Sequence, residues 1–186
     1  MMEEHVLFEH LPGLVDQLGA DHVKPLLDRI TLSEVAKGEV LVHDQQPIDA
    51  FFLVLRGRLH LAIELSGHSL QLGELLPGNW CGELGYFSGV RRASSTVSAS
   101  EDTLLARLKY DDFDALLAED AVAVCRLTHS FVKMLIRRLN ATANNPVIDP
   151  RGELLLLGDL SVPMDDLRRK PHGVVDFIKS FLGARP

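Results

Sequence analysis

The sequence predicts a mainly β fold with flanking helices: an antiparallel jelly roll, or double-stranded β-helix, followed by a long dimerisation helix. Three observations carry this reading. Between Leu32 and Leu108, short alternating or apolar runs recur: Val40–Val42, Phe51–Leu55, Leu59–Ile63, Leu70–Leu72, Thr96–Ala99 and Leu104–Leu108. Turn residues punctuate them, namely Gly38, Asp44, Pro47, Gly57, Gly67 and Pro77-Gly78. Many short strands at this spacing belong to a sandwich or a roll. Finally, apolar residues on both flanks switch to helical spacing.

The elements follow in order. Phe8, Leu11, Val15 and Leu18 repeat at helix spacing across Pro12-Gly13, and Val23, Leu26, Leu27 and Ile30 do so again, so residues 1–31 read as a helical N-terminus. The β-roll occupies residues 32–110. Residues 111–145 read as helices. Asp111–Ala118 carries Phe113, Leu116 and Leu117, and Ala121–Ala143 is the longest uninterrupted helical pattern in the chain. Asp120 is placed to cap that helix, and Asn145-Pro146 stops it. Val124, Leu127, Phe131 and Met134 step along it at near-heptad spacing, continued by Leu135, Leu139 and Thr142. A long helix with an apolar stripe needs a partner surface. The expectation is a parallel homodimer over residues 121–143, with Leu127, Phe131, Leu135 and Leu139 at the seam. The domain thus spans residues 1–145. Residues 146–186 form a tail and a candidate partner-binding segment, with an extended stretch at Glu153–Leu157 and an amphipathic face of Val174, Ile178, Phe181 and Leu182.

Composition excludes several classes. The 186 residues are 46% hydrophobic and 24% charged, which is globular rather than disordered. Net charge is −7, which argues against coating nucleic acid or anionic membrane. The charge is uneven: residues 1–125 hold 9 basic and 20 acidic side chains, residues 126–186 hold 10 and 6. Cys81 and Cys125 make neither a disulfide framework nor a zinc set, and their apolar contexts read as buried free thiols of a reducing cytoplasm. The acidic N-terminus does not read as a secretory signal, and no run approaches the ~20 apolar residues of a membrane span. His60 and His68 lack the paired His-x-His spacing and His43 lies near a turn, which makes a cupin-type metalloenzyme the least favoured alternative; no catalytic residues, metal or cofactor are expected.

The chemistry concentrates in Pro77–Ala99. It reads as a turn, a short helix over Gly82–Phe87, a glycine-containing loop at Ser88–Val90, then paired arginines and small hydroxyl residues entering a strand. Small residues let a ligand approach the backbone. An arginine fork matches two phosphate oxygens. Glu83 adds an acceptor for sugar hydroxyls. One carboxylate within an anion site suits a ligand bearing both phosphate and ribose.

Gly82-Glu83-Leu84-Gly85 followed by Arg92-Ala93-Ser94 resembles the phosphate-binding cassette of cyclic nucleotide-binding domains, found in the catabolite activator protein, protein kinase A regulatory subunits and cyclic nucleotide-gated channels. Lys37–Leu41, Asp49–Val54 with Gly57, and Pro77–Glu83 resemble the family's strands and its approach to the cassette. The resemblance covers residues 10–143. It implies a cytoplasmic regulatory sensor, not an enzyme, that binds cAMP or else cGMP and signals through its dimer helix and tail to a downstream protein.

By that resemblance Glu83 takes the ribose 2′-hydroxyl, Gly82 and Leu84 approach through backbone groups, Arg92 pairs with the cyclic phosphate, and Ala93 and Ser94 supply an amide or a hydroxyl. Arg137–Thr142 resembles the activator's Arg-Arg-Leu-Gln-Val-Thr, which makes Thr142 the base contact. The Arg92–Val97 segment is one residue longer than the common pattern, leaving Arg91 as the alternative to Arg92 and Ser95 to Ser94. Where the family has glycine after the first-turn acid, this chain has Gln45, in a loop expected to lie remote from the ligand. Glu83 and Arg92 have no evident structural partners in sequence. Relatives that bind no nucleotide, or bind haem or a cyclic dinucleotide, supply the rival reading of a protein-interaction module. No helix-turn-helix pattern follows Ala143, so no direct DNA binding is expected.

Overall fold

The structure, a computed structural model, describes residues 16, 18–65, 68–144, 147–148 and 154–155. Phe8, Leu11, Val15 and the face of Val174, Ile178, Phe181 and Leu182 lie outside these residues.

Helix α1 (Ala20–Leu27) leads into eight strands: β1 (Ile30–Val35), β2 (Val40–Val42), β3 (Ala50–Arg56), β4 (Leu59–Leu65), β5 (His68–Leu75), β6 (Trp80–Cys81), β7 (Thr96–Ala99) and β8 (Thr103–Lys109). A short helix α2 (Glu83–Phe87) interrupts them between β6 and β7. Helices α3 (Tyr110–Glu119) and α4 (Ala121–Asn144) follow, and a two-strand pair closes the described chain, β9 (Val147–Ile148) with β10 (Leu154–Leu155). Leu154-Leu155 thus realises the middle of the extended stretch read at Glu153–Leu157.

One sheet has the order β1-β8-β3-β6 and the other β2-β7-β4-β5, all neighbours antiparallel. Apart from the β4–β5 hairpin, strands adjacent in space are distant in sequence, the wiring of a jelly roll. β3 lies between β8 and β6, and six of its seven residues are buried, which is why Phe51–Leu55 reads as a continuous apolar run rather than an alternating one. Both sheets feed one hydrophobic cluster that α1, α3 and α4 extend.

Ile30 departs from the sequence expectation: it opens β1, paired with Leu108, because the Asp28 and Arg29 amides close the last turn of α1 on Lys24 and Leu26. Asp120 caps α4 as expected, accepting the Ala123 amide at 3.0 Å. The same carboxylate receives His22 Nδ1 at 2.7 Å, and Arg29 reaches Glu119 at 2.6 Å, so α1 is fastened to the α3–α4 junction.

Helix α4 corrects the expected seam. Leu127 and Phe131 are fully buried, and Val124 and Met134 nearly so. Phe131 stacks on Phe51 at 5.1 Å and meets Trp80 edge-on at 5.2 Å. Of the predicted seam, Leu127 and Phe131 pack on the roll, Leu135 is half-buried and Leu139 alone faces outward. A second stripe faces outward: Val122, Val132, Ile136 and Leu139 are exposed. Two apolar stripes on one helix cannot be ranked by periodicity alone. Cys125 is likewise exposed, contrary to the expectation of a buried thiol, whereas Cys81 is buried. No helix among the described residues is long and apolar enough to cross a membrane.

Candidate functional site: the Glu83 cleft

The cleft begins where β6 meets the middle of β3, Cys81 pairing with Phe52 and Trp80 with Leu53. At Gly82 the backbone takes φ +92°, and a Cβ there would lie 2.3 Å from the Ala50 carbonyl oxygen, so only glycine lets the chain pass. The Gly82 carbonyl accepts the Tyr110 hydroxyl at 2.7 Å. Helix α2 then carries Tyr86 and Phe87 into rings from β3, α3 and α4: Tyr86 packs on Phe51 and Phe113, and Phe87 on Phe131.

The empty space between α2, the segment before β7 and the end of α4 amounts to about 450 Å³ with open solvent included. Gly82, Glu83, Leu84, Arg92, Ala93 and Ser94 all line it. Thr142 lies in the last turn of α4, and its side chain falls outside the described residues. Of the alternatives left open, Ser95 also lines the cleft and is buried, whereas Arg91 does not line it. Arg91 has φ +53°, and its guanidinium lies 3.8 Å from Asp111 and 5.5 Å from the Tyr110 ring centre.

Glu83 is 1% exposed. Its Oε1 accepts a hydrogen bond from Arg138, which also donates to the Trp80 carbonyl. Its Oε2 is buried without a hydrogen-bond partner among the described residues. Arg138 lines the cleft and was missed in the sequence, although it stands in the quoted Arg137–Thr142 run. The available signal was its position seven residues beyond Phe131, a charge on the buried stripe of α4 where a cation requires an acid. The pair's charge reaches Cys81, whose thiol is pushed up to about 12 by burial first and Glu83 second, with Arg138 opposing.

Arg92 also has a structural partner, donating to the Gln45 carbonyl at 2.6 Å. The loop expected to lie remote from the site is stitched to it. The Gln45 amide reaches the Ala93 carbonyl at 2.9 Å, the Ala93 amide reaches Gln46 at 2.9 Å, and Ile48 reaches Arg91 at 3.1 Å. Gln45 itself holds φ +61°, the left-handed region that glycine enters without steric cost and other residues seldom do. Neither charge of the cassette is therefore without a protein partner, contrary to the sequence reading. Among the described residues, no group of three or more His, Cys, Asp or Glu side chains converges to hold a metal.

Comparison with known proteins agrees with this geometry. The family model described as the cyclic nucleotide-binding domain matches residues 32–120. Among curated proteins, lysophospholipase nte1 of Neosartorya fischeri is 27% identical over 143 residues, which is 76% of this chain and 9% of that protein. The chain thus spans about a tenth of the length of that relative. Among solved structures, a cyclic nucleotide-binding domain from Methylobacillus flagellatus aligns with TM-score 0.67 and 16% identity, covering 74% of this chain and 83% of its own. The catabolite activator protein of Thermus thermophilus aligns with TM-score 0.57 and 22% identity, covering 70% and 68%. These likenesses show the fold, and the matched segment contains every element of the cleft except the Arg138 end of α4. Domains of this family are regulatory rather than catalytic, and residues 32–120 of this chain are a cyclic nucleotide-binding domain.

Proposed function

We propose that this chain is a regulatory sensor, not an enzyme, acting in the cytoplasm, which binds cAMP, or cGMP in its place, in the Glu83 cleft and passes occupancy to α4. The observation that carries the reading is the second oxygen of Glu83. Glu83, whose Oε2 is buried without a donor among the described residues, lines the same cleft as two arginines and two serines. Leaving such an acceptor unmet costs about 1–3 kcal/mol, which a ligand hydroxyl would recover. Glu83 then holds the ribose, Arg92 with Ala93 and Ser94 holds the cyclic phosphate, Gly82 and Leu84 admit it to the backbone, and Thr142 meets the base. Arg138 is the added member: it binds Glu83 from α4, so any movement of the carboxylate toward ribose is felt by the helix. Output runs through a homodimer formed on the exposed stripe of α4, and through residues 146–186 to a downstream protein.

A second reading is favoured by one observation: Glu83 and Arg92 each already have a protein partner. A domain held shut this way serves as an interaction module without nucleotide. Calorimetric titration with cAMP, cGMP and cyclic di-GMP separates the readings. The sensor gives micromolar binding, about −8 kcal/mol, for a cyclic mononucleotide. Absence of heat and of thermal shift at millimolar nucleotide leaves the interaction module.

A further inference from the structure

Exposed positions on α4 follow an unbroken three-four spacing: Val122, Cys125, His129, Val132, Ile136 and Leu139. This is the a/d repeat of a coiled coil, with Val122, His129 and Ile136 at a, and Cys125, Val132 and Leu139 at d. The stripe is separate from the one packed on the roll, so the helix can serve both at once. Its charges say what covers it. From Ala121 to Asn144 the helix has no Asp or Glu. Its cations that flank the stripe, Arg126 and Lys133, both fall at e, while the g positions hold Thr128 and Leu135. Parallel copies set e against g and bring no like charges together, whereas antiparallel copies that overlay the whole stripe set e against e and Arg126 against Lys133. Within a parallel arrangement, β-branched Val122 and Ile136 at a favour two strands over three or four. The occupant that fits is a second copy of this helix, lying parallel.

In that pair Cys125 and His129 come together. They are four residues apart, both exposed, and on one helix face, where side chains at this spacing are neighbours about 5–6 Å apart at Cβ. One chain supplies two donors and the site is incomplete without the other copy. Two copies place two thiols and two imidazoles in adjacent layers around the shared axis, which is the donor set of a tetrahedral zinc centre. Val122 on one side and Val132 on the other close the layers with apolar surface. On loading, each Cys125 thiol releases its proton to solvent and each His129 binds as the neutral ring. Two thiolates then balance the dication, leaving a neutral core beside the basic Arg126 and Lys133 positions. From this juxtaposition we infer that α4 carries half of an intersubunit Cys2His2 site for a divalent transition metal, zinc first, which locks the dimer. The inference rests on the dimer part of the proposed function and is independent of the nucleotide.

The test uses the full chain, purified in EDTA and then titrated with cobalt(II) as the spectroscopic stand-in for zinc. The expected result is saturation at one cobalt per two chains, with visible bands of a tetrahedral ion and a thiolate charge-transfer band. Sedimentation with added zinc should show dimer dissociation weakened at least tenfold relative to EDTA. Cys125→Ser should abolish the charge-transfer band, and His129→Ala should lower metal affinity at least tenfold. Both side chains are exposed, so the variants retain the fold. A dimer in EDTA that takes up no cobalt overturns the metal inference and leaves the assembly standing. So does cobalt bound at one per chain with a spectrum that survives Cys125→Ser. A chain that stays monomeric with and without metal overturns both.

Discussion

Arg138 hydrogen-bonds Glu83 across 55 residues of sequence, joining the last turns of α4 to the carboxylate at the floor of the cleft. Glu83 is almost fully buried and the Arg138 side chain is 11% exposed, so this is an interior ion pair. Its consequence for stability is asymmetric.

Arg138→Leu leaves a buried carboxylate without its cation and is expected to destabilise the fold by about 3–5 kcal/mol. The double variant Glu83→Gln with Arg138→Leu should recover much of that loss, because the uncompensated charge is gone. Urea unfolding at neutral pH measures both. A single variant within about 1 kcal/mol of wild type would mean that water already reaches the carboxylate.

For nucleotide binding, Arg92→Ala is expected to weaken cAMP affinity by about 1.5–3 kcal/mol, the worth of hydrogen bonds to a charged group. Arg91→Ala should leave affinity within a factor of about two, since that guanidinium lies against Tyr110 and Asp111 rather than in the cleft. Equal losses in titration calorimetry would reverse the assignment of the phosphate arginine.

Substitutions on the two faces of α4 should part company. Val132→Asp or Ile136→Asp, at exposed positions, is expected to yield a folded monomer by sedimentation and circular dichroism. Phe131→Asp, whose ring is buried against Phe51 and Trp80, should unfold the chain instead. A folded monomer from Phe131→Asp would return the seam to the inner stripe.

The junction of α1 with α4 should respond to acid. Hydrogen bonds from His22 and from the Ala123 amide hold the Asp120 carboxyl below the ordinary carboxylate range. A folded-state value below the unfolded one contributes stability above the unfolded pKa, and that contribution is lost as pH falls through the folded one. Asp120→Asn is therefore expected to be less stable than wild type at pH 6, with the deficit shrinking below pH ~4. A deficit that persists unchanged at pH 2.5 would assign the whole effect to helix capping.

The two thiols should differ in reactivity. In EDTA and at low chain concentration, iodoacetamide is expected to modify Cys125 and spare Cys81. Only the thiolate reacts, and burial beside Glu83 pushes the Cys81 thiol up to about 12. Mass spectrometry of the native labelled protein reads the sites, and modification of Cys81 at the rate of Cys125 would show that β6 opens in solution.

The jelly roll was legible in the sequence because it rests on local quantities. Alternation and turn residues place β2 and β7 at the residues the structure assigns, and Asp120 before an apolar helix announces its cap. The cassette was legible in the same way: from Gly82 to Ser94 every proposed residue lines one cleft. What only the tertiary structure decided concerns partners across long separations. The Gln45 loop joins Arg92, Arg138 closes on Glu83, and Phe131 turns inward while Val132 and Ile136 turn out. The physical reason is that a helix repeating every 3.6 residues can present two apolar stripes of equal sequence quality. The roll covers whichever stripe its neighbouring rings fill, and here Phe51 and Trp80 receive Phe131, which leaves Cys125 and His129 on the outside.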